Sequence, residues 1–170
     1  MIEQLKELMP EILASIDDDD WESLVINRRK PHTYRMFKNF GEVRACLHVF
    51  DACDPEDAFA HPHPWPGAFL MLDGEYIHTV GYSLDLKSPP TFLYREVVRP
   101  FTMYEITHKQ TWHAVQPTTR TYTVMINGPA WDGHSETRTT KGKDLDSLGE
   151  GAMATLKTDF KHLIGEYLKE

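Results

Sequence analysis

One hundred and seventy residues, 41% hydrophobic and 26% charged, suit one soluble domain with its own core and exclude a disorder-dominated chain. The formal charge of −8, with no basic run longer than Arg28-Arg29-Lys30, excludes a phosphate-tracking stripe, so nucleic acid is not an expected partner. Neither a long apolar run nor a signal peptide occurs, which predicts a cytoplasmic chain without a membrane partner, and Cys46 and Cys53 are expected as free thiols.

The first segment, residues 1–28, places Ile2, Leu5, Leu8, Met9, Ile12, Leu13 and Ile16 at three- to four-residue spacing, the pattern of a helix with one buried stripe. Pro10 interrupts it and predicts either a kink or the start of a second short helix. The Asp17–Asp20 run lacks the ligand spacing of a calcium loop and reads as a solvated acidic turn.

Residues 29–131 change texture. HTYRMFK, EVRACLHVF, GAFLML, EYIHTVGYSL, TFLYREVV, MYEITH and TYTVMIN are short, rich in β-branched and aromatic side chains, and separated by turn clusters such as Lys38-Asn39-Phe40-Gly41 and Ser88-Pro89-Pro90. Seven or more strands without intervening helices predict an all-β antiparallel sandwich or barrel. Asp73-Gly74 reads as a hairpin turn joining GAFLML to EYIHTV. Residues 132–146 are polar without apolar periodicity and predict a loop. Residues 147–170 predict a helix whose face of Met153, Leu156, Phe160, Leu163, Ile164, Tyr167 and Leu168 packs on the barrel or on a partner subunit. Amphipathic segments at both ends make a homodimer the expected assembly.

The chemistry concentrates in His61-Pro62-His63-Pro64-Trp65-Pro66. Three prolines stiffen an extended chain, and on a strand the two histidines project from one face about 6.6 Å apart, which suits two ligands of one metal. A proline-rich turn that happens to contain histidines is the other reading. A third ligand has to come from elsewhere, and His113 in TWHAV is the candidate. His78, on EYIHTV, is a candidate fourth ligand and a candidate catalytic residue, ahead of Glu75 or water at the fourth position. Tyr76 shares its strand parity and could serve as acid or substrate anchor; Tyr82 shares it too, and both could equally be core aromatics.

His48 reads as a satisfied core or rim histidine, His108 as surface or support, and His32, His134 and His162 as bystanders. Arg44 and Arg95 could clamp an anion, Trp65 and Trp112 could wall a pocket, and nothing in the sequence brings Cys53 to the site. No G-x-S-x-G, HExxH, Walker loop or CxxC competes.

HPHPW, PGAFLML, D-GEY and TWHAV together resemble the cupin superfamily of small jelly-roll barrels, over roughly residues 40–128. Residue by residue, His61 and His63 match its His-x-His pair, Gly74 the glycine that closes its first motif, and His113 the lone histidine of its second. The motif's glutamate falls on Gly67 or Ala68, the glycine before the pair on Pro55, the second motif's Pro and Gly on His108 and Gln110, and its asparagine on Pro117. Loss of the glutamate resembles three-histidine cupins, which include thiol dioxygenases, and HxHPW resembles small bacterial and phage cupins of undefined activity.

The resemblance implies a jelly-roll barrel with flanking N- and C-terminal helices and a divalent metal, Fe(II) first, with Zn, Ni or Mn as alternatives. No other cofactor site is expected. Three neutral imidazoles leave the ion's charge largely uncompensated, which favours a small polar or anionic substrate and dioxygenase-like chemistry. A non-catalytic metal- or ligand-binding cupin, or a sugar or carboxylate isomerase or lyase, is the alternative. Metal occupancy is expected to fall below about pH 6, near the free histidine pKa.

Overall fold

A computed structural model describes residues 1–85, 87–131 and 145–170 of the chain. In chain order come α1 (Ile2–Ala14), β1 (Glu22–Ile26), β2 (Thr33–Phe40), β3 (Val43–Phe50), β4 (His61–Pro62), β5 (Gly67–Asp73), β6 (Tyr76–Tyr82), β7 (Phe92–Val98), β8 (Met103–Ile106), β9 (Thr111–Pro117), β10 (Thr121–Asn127) and α2 (Glu150–Tyr167). The strands form two sheets, ordered β1-β2-β3-β10-β5-β8 and β4-β9-β6-β7, and every pairing is antiparallel. This is the expected all-β architecture with a helix on either side of it in sequence.

The six-stranded sheet is buried on both faces. Its outer face, with Met36, Ala45, Leu47, Leu70, Val124 and Ile126, forms one core with Leu5, Met9 and Ile12 of α1 and Leu156, Phe160 and Ile164 of α2. The helices pack there because each presents a single apolar stripe that only a flat apolar surface can cover. Its inner face carries Phe37, Cys46, Phe69 and Met125, which the strand registers bring into one row across β2, β3, β10 and β5.

Several expectations change. Asp73-Gly74 is a corner rather than a hairpin: β5 pairs with β10 and β8, whereas β6 pairs with β9 and β7 in the other sheet. Gly74 is needed there because its φ is +80° and an added Cβ would lie 2.5 Å from the Arg120 carbonyl oxygen. The segment expected to be helical through residue 28 supplies strand β1, which pairs with β2. α1 runs through Pro10 as one helix. The acidic turn is tied to its surroundings by Lys38, 2.8 Å from Asp18 and 2.7 Å from Asp20, and by Lys161 with Asp17. Both cysteines are free. Most of the polar loop, 132–144, and His134 within it lie outside the described residues. Among those described, no helix is long and apolar enough to cross a membrane.

Candidate metal centre

Proline cannot donate a backbone hydrogen bond, so the His61–Pro66 segment is held through its carbonyls: Trp131 N–H donates to Pro64 O at 2.9 Å and Gly128 N–H to Pro66 O at 3.0 Å. β4 pairs with β9 in a register that sets His61 directly opposite His113. The three rings gather, with centroids 5.2 Å apart for His61 and His63, 4.7 Å for His61 and His113, and 4.6 Å for His63 and His113. One ligand atom from each lies within 4.8 Å of the others, and the Nε2 atoms of His63 and His113 are 2.7 Å apart.

Burial holds all three rings neutral. It pushes His61 down to about 4 and His63 and His113 well below the usual histidine value, and repulsion among the histidines adds to it at His63 and His113. Neutral imidazoles offer lone pairs at pH 7, which is the state a transition metal requires. His63 Nδ1 is buried with no hydrogen-bond partner among the described residues, as in a site shaped to receive a further group. The donor set therefore fits a divalent first-row ion.

Behind His113 runs a second line of contacts. His113 Nδ1 is 3.0 Å from His78 Nε2, and His78 Nδ1 is 3.1 Å from Glu96 Oε1. β6 lies between β9 and β7, with His78 opposite Val115 on one side and Glu96 on the other. Burial lowers the His78 pKa while Glu96 opposes that shift. Tyr76 and Tyr104 share a 2.7 Å hydrogen bond between hydroxyls, and the Tyr104 ring lies 4.3 Å from His78 and stacks on Phe69 at 4.6 Å. Burial raises both phenols, so both stay protonated at neutral pH. Arg35 Nε donates to His48 Nε2 at 2.7 Å on the facing sheet.

No family model and no curated protein matches the sequence. Solved structures match in fold: FeII HppE, at a TM-score of 0.51 and 13% identity over 65% of this chain and 57% of that one; and FeII HppE in complex with substrate, at 0.50 and 13% over 64% and 57%. Hydroxypropylphosphonic acid epoxidase from S. wedmorenis gives 0.49 and 13% over 64% and 56%. The fold is cupin-like. The chain spans a little over half the length of these structures.

Within the cupin-like barrel, the structure brings together three of the four candidate ligands. His78 stays outside the group, since both of its ring nitrogens face other residues. Glu75 is turned away at the β5–β6 corner, where it accepts from Thr118 Oγ1 at 3.2 Å and faces Arg99 at 3.5 Å. Tyr82 is 52% exposed and His108 is exposed beside it, with ring centroids 5.9 Å apart. Arg44 lies over the Phe37 ring and Arg95 donates to Thr79, so neither occupies the clamp position envisaged for it. Trp65 lies 6.2 Å from His63 ring to ring, while Trp112 is buried. Sequence reasoning missed Arg35 and Glu96. Strict alternation would have marked Arg35 as sharing a face with Phe37, but in a sheet covered on both sides that alternation is hidden.

Proposed function

We propose that the chain is a metal-dependent cupin-type enzyme in which His61, His63 and His113 hold a divalent ion, Fe(II) first, and that it acts as an oxygenase on a small polar or anionic substrate. The observation that carries this reading is the convergence of three neutral imidazoles, two buried and one half-buried, from β4, the segment after it and β9. Such an ion, when bound, supplies Lewis acidity and, as iron, access to oxygen chemistry.

The rest of the reading concerns the chain's own residues. His78 serves as a positioning residue: its contact with His113 Nδ1 fixes which ring nitrogen of His113 carries the proton and leaves Nε2 for the ion. Glu96 in turn orients His78. Tyr76 and Tyr104 keep their protons and form a polar spot beside His78, from which Tyr76 would deliver a proton through Tyr104. Phe69 and Trp65 keep bulk water from the rings.

Elemental analysis of purified protein, followed by oxygen uptake of the Fe(II)-loaded form with small carboxylates and phosphonates, tests the reading. Stoichiometric metal and substrate-dependent uptake are expected. A loaded protein that consumes no oxygen with any of them would move the reading to isomerase or binding-module chemistry, and one that takes up no divalent ion would end it.

A further inference from the structure

The four edges of the two sheets are not alike. β1 is covered by the chain before α2, where Val25 N–H donates to Asp146 O at 2.8 Å and Leu148 N–H donates to Ser23 Oγ at 3.0 Å. β8 is four residues long, and its Glu105 holds the N-terminal amine at 3.1 Å. β4 is two residues long, one of them a proline. β7 has no such protection: it is seven residues long, every one but Val98 is exposed, and among the described residues its backbone pairs with β6 alone.

An open edge is ordinarily guarded by charges that project from it. On β7 the two charged side chains are held back onto β6: Arg95 Nε donates to Thr79 Oγ1 at 3.3 Å, and Glu96 Oε1 lies 3.1 Å from His78 Nδ1. What stays outward is apolar. Leu93 is 67% exposed where the register shift between Val80 and Gly81 leaves it without a partner on β6, and Tyr94, Phe92, Val97, Tyr82 and Leu84 are exposed around it. At about 150–250 Å² for a large side chain, these six leave on the order of 600 Å² open to solvent on each copy, at the upper end for a monomer and close to the roughly 800 Å² that each partner gives to a standard interface.

We propose that β7 is the contact between two copies of this chain, which pair antiparallel across a twofold axis and join their four-stranded sheets edge to edge. A second copy fits this edge because an antiparallel strand pair about a twofold axis is self-complementary, each copy offering the other the same free backbone groups and the same apolar side chains. Charge favours it too. One cation and one anion leave β7 locally neutral on a chain of formal charge −8, so this is where like-charged copies approach with least repulsion. The helices do not compete for the role, since the apolar stripes of α1 and α2 are buried on the six-stranded sheet of their own chain. The contact uses the open edge of each copy, so the assembly closes at two.

The test is sedimentation equilibrium of the full chain over about 1–100 μM, paired with amide hydrogen exchange at the upper end of that range. It compares the unaltered protein with Leu93→Lys, with Leu93→Lys and Val97→Lys together, and with Leu168→Lys, an exposed apolar position on the far helix, as control. The unaltered protein is expected at twice its 19.7 kDa, with the amides of β7 protected. Leu93→Lys sets like charges across the axis and should raise the dissociation constant about tenfold or more, the double variant should be a monomer with β7 amides exchanging freely, and Leu168→Lys should match the unaltered protein. A monomer at every concentration, a dimer that survives the double variant, a dimer whose new protection falls outside β7, or a mass that keeps growing beyond two copies overturns the proposal. Should the double variant lose the circular dichroism of the fold, Leu93→Lys, at a position without a β6 partner, carries the comparison.

Discussion

At the scale of single residues, the three histidines carry different structural burdens, and that difference can be measured. His61 is partly buried, and its one hydrogen bond among the described residues is the 3.4 Å contact from Nδ1 to the Phe59 carbonyl, so His61→Ala should abolish metal uptake with little change in the unfolding midpoint. His113 contacts His63 on one ring nitrogen and His78 on the other, so His113→Ala should also abolish uptake and in addition cost about 1–3 kcal/mol, because buried ring nitrogens lose their partners. Elemental analysis beside urea unfolding separates the two; a His61 or His113 variant that kept full metal would refute the ligand assignment. Glu96 tests the line behind them. Its side chain is 45% exposed, so Glu96→Gln should leave stability nearly unchanged, yet weaken metal affinity by about 10–100-fold in chelator competition by loosening His78. The three-histidine group was legible in the sequence because His-x-His among prolines and a lone histidine in TWHAV are local patterns. Glu96 was not, since its relation to His78 exists only in the pairing of β6 with β7.

Elements tell a parallel story about what local patterns carry. Helical periodicity at both termini was readable because each helix buries one stripe only, at Leu5, Met9 and Ile12 and at Leu156, Phe160 and Ile164. The strands were readable as strands, but their partners were not: Asp73-Gly74 has the chemistry of a hairpin turn and instead passes the chain from one sheet to the other. β1 and β9 went unrecognised, the first beside an acidic turn and the second as a run, TWHAVQP, that carries a proposed ligand in its middle. The corner at Gly74 supplies a stability test. Alanine there must adopt a left-handed φ of +80° and place its Cβ against the Arg120 carbonyl oxygen and the Thr121 hydroxyl, where backbone at the start of β10 has little room to yield. Gly41 also has a positive φ, +58°, but nothing within 4 Å of an added Cβ. Gly41→Ala is expected to cost about 1 kcal/mol from the backbone alone, and Gly74→Ala about 2 kcal/mol or more. Equal unfolding midpoints for the two variants would show that the corner is looser than its contacts indicate.

The whole molecule registers the buried histidines through its pH dependence. In the unfolded chain each histidine takes a proton near pH 6.5, whereas in the folded barrel burial delays this, to about 4 for His61 and well below the ordinary value for His48, His63 and His113. Between those values the unfolded state binds more protons than the folded state, so stability falls as pH falls. The contribution is complete above about pH 6.5 and, for His61, spent once pH reaches about 4, a loss on the order of 3 kcal/mol from that ring. Carboxylates depressed by their partners, such as Glu105 beside the N-terminal amine, act in the same direction only below their ordinary value of 4.5, so the window from 6.5 to 4.5 reports the histidines. The free-histidine value had suggested metal loss from about pH 6. A site whose rings resist protonation in the folded state should instead hold its ion further into acid and release it together with the fold. Urea unfolding of chelator-treated protein at pH 7.5, 6.5, 5.5 and 4.5, paired with metal content of the loaded protein over the same range, reads both quantities. Unfolding free energy should fall only slightly between the first two points and steeply from 6.5 to 5.5 and on to 4.5, while bound metal should track the folded fraction. Metal that departed near pH 6 from a barrel still fully folded would mean that the three rings are far wetter than their packing against Phe69, Trp65 and one another implies.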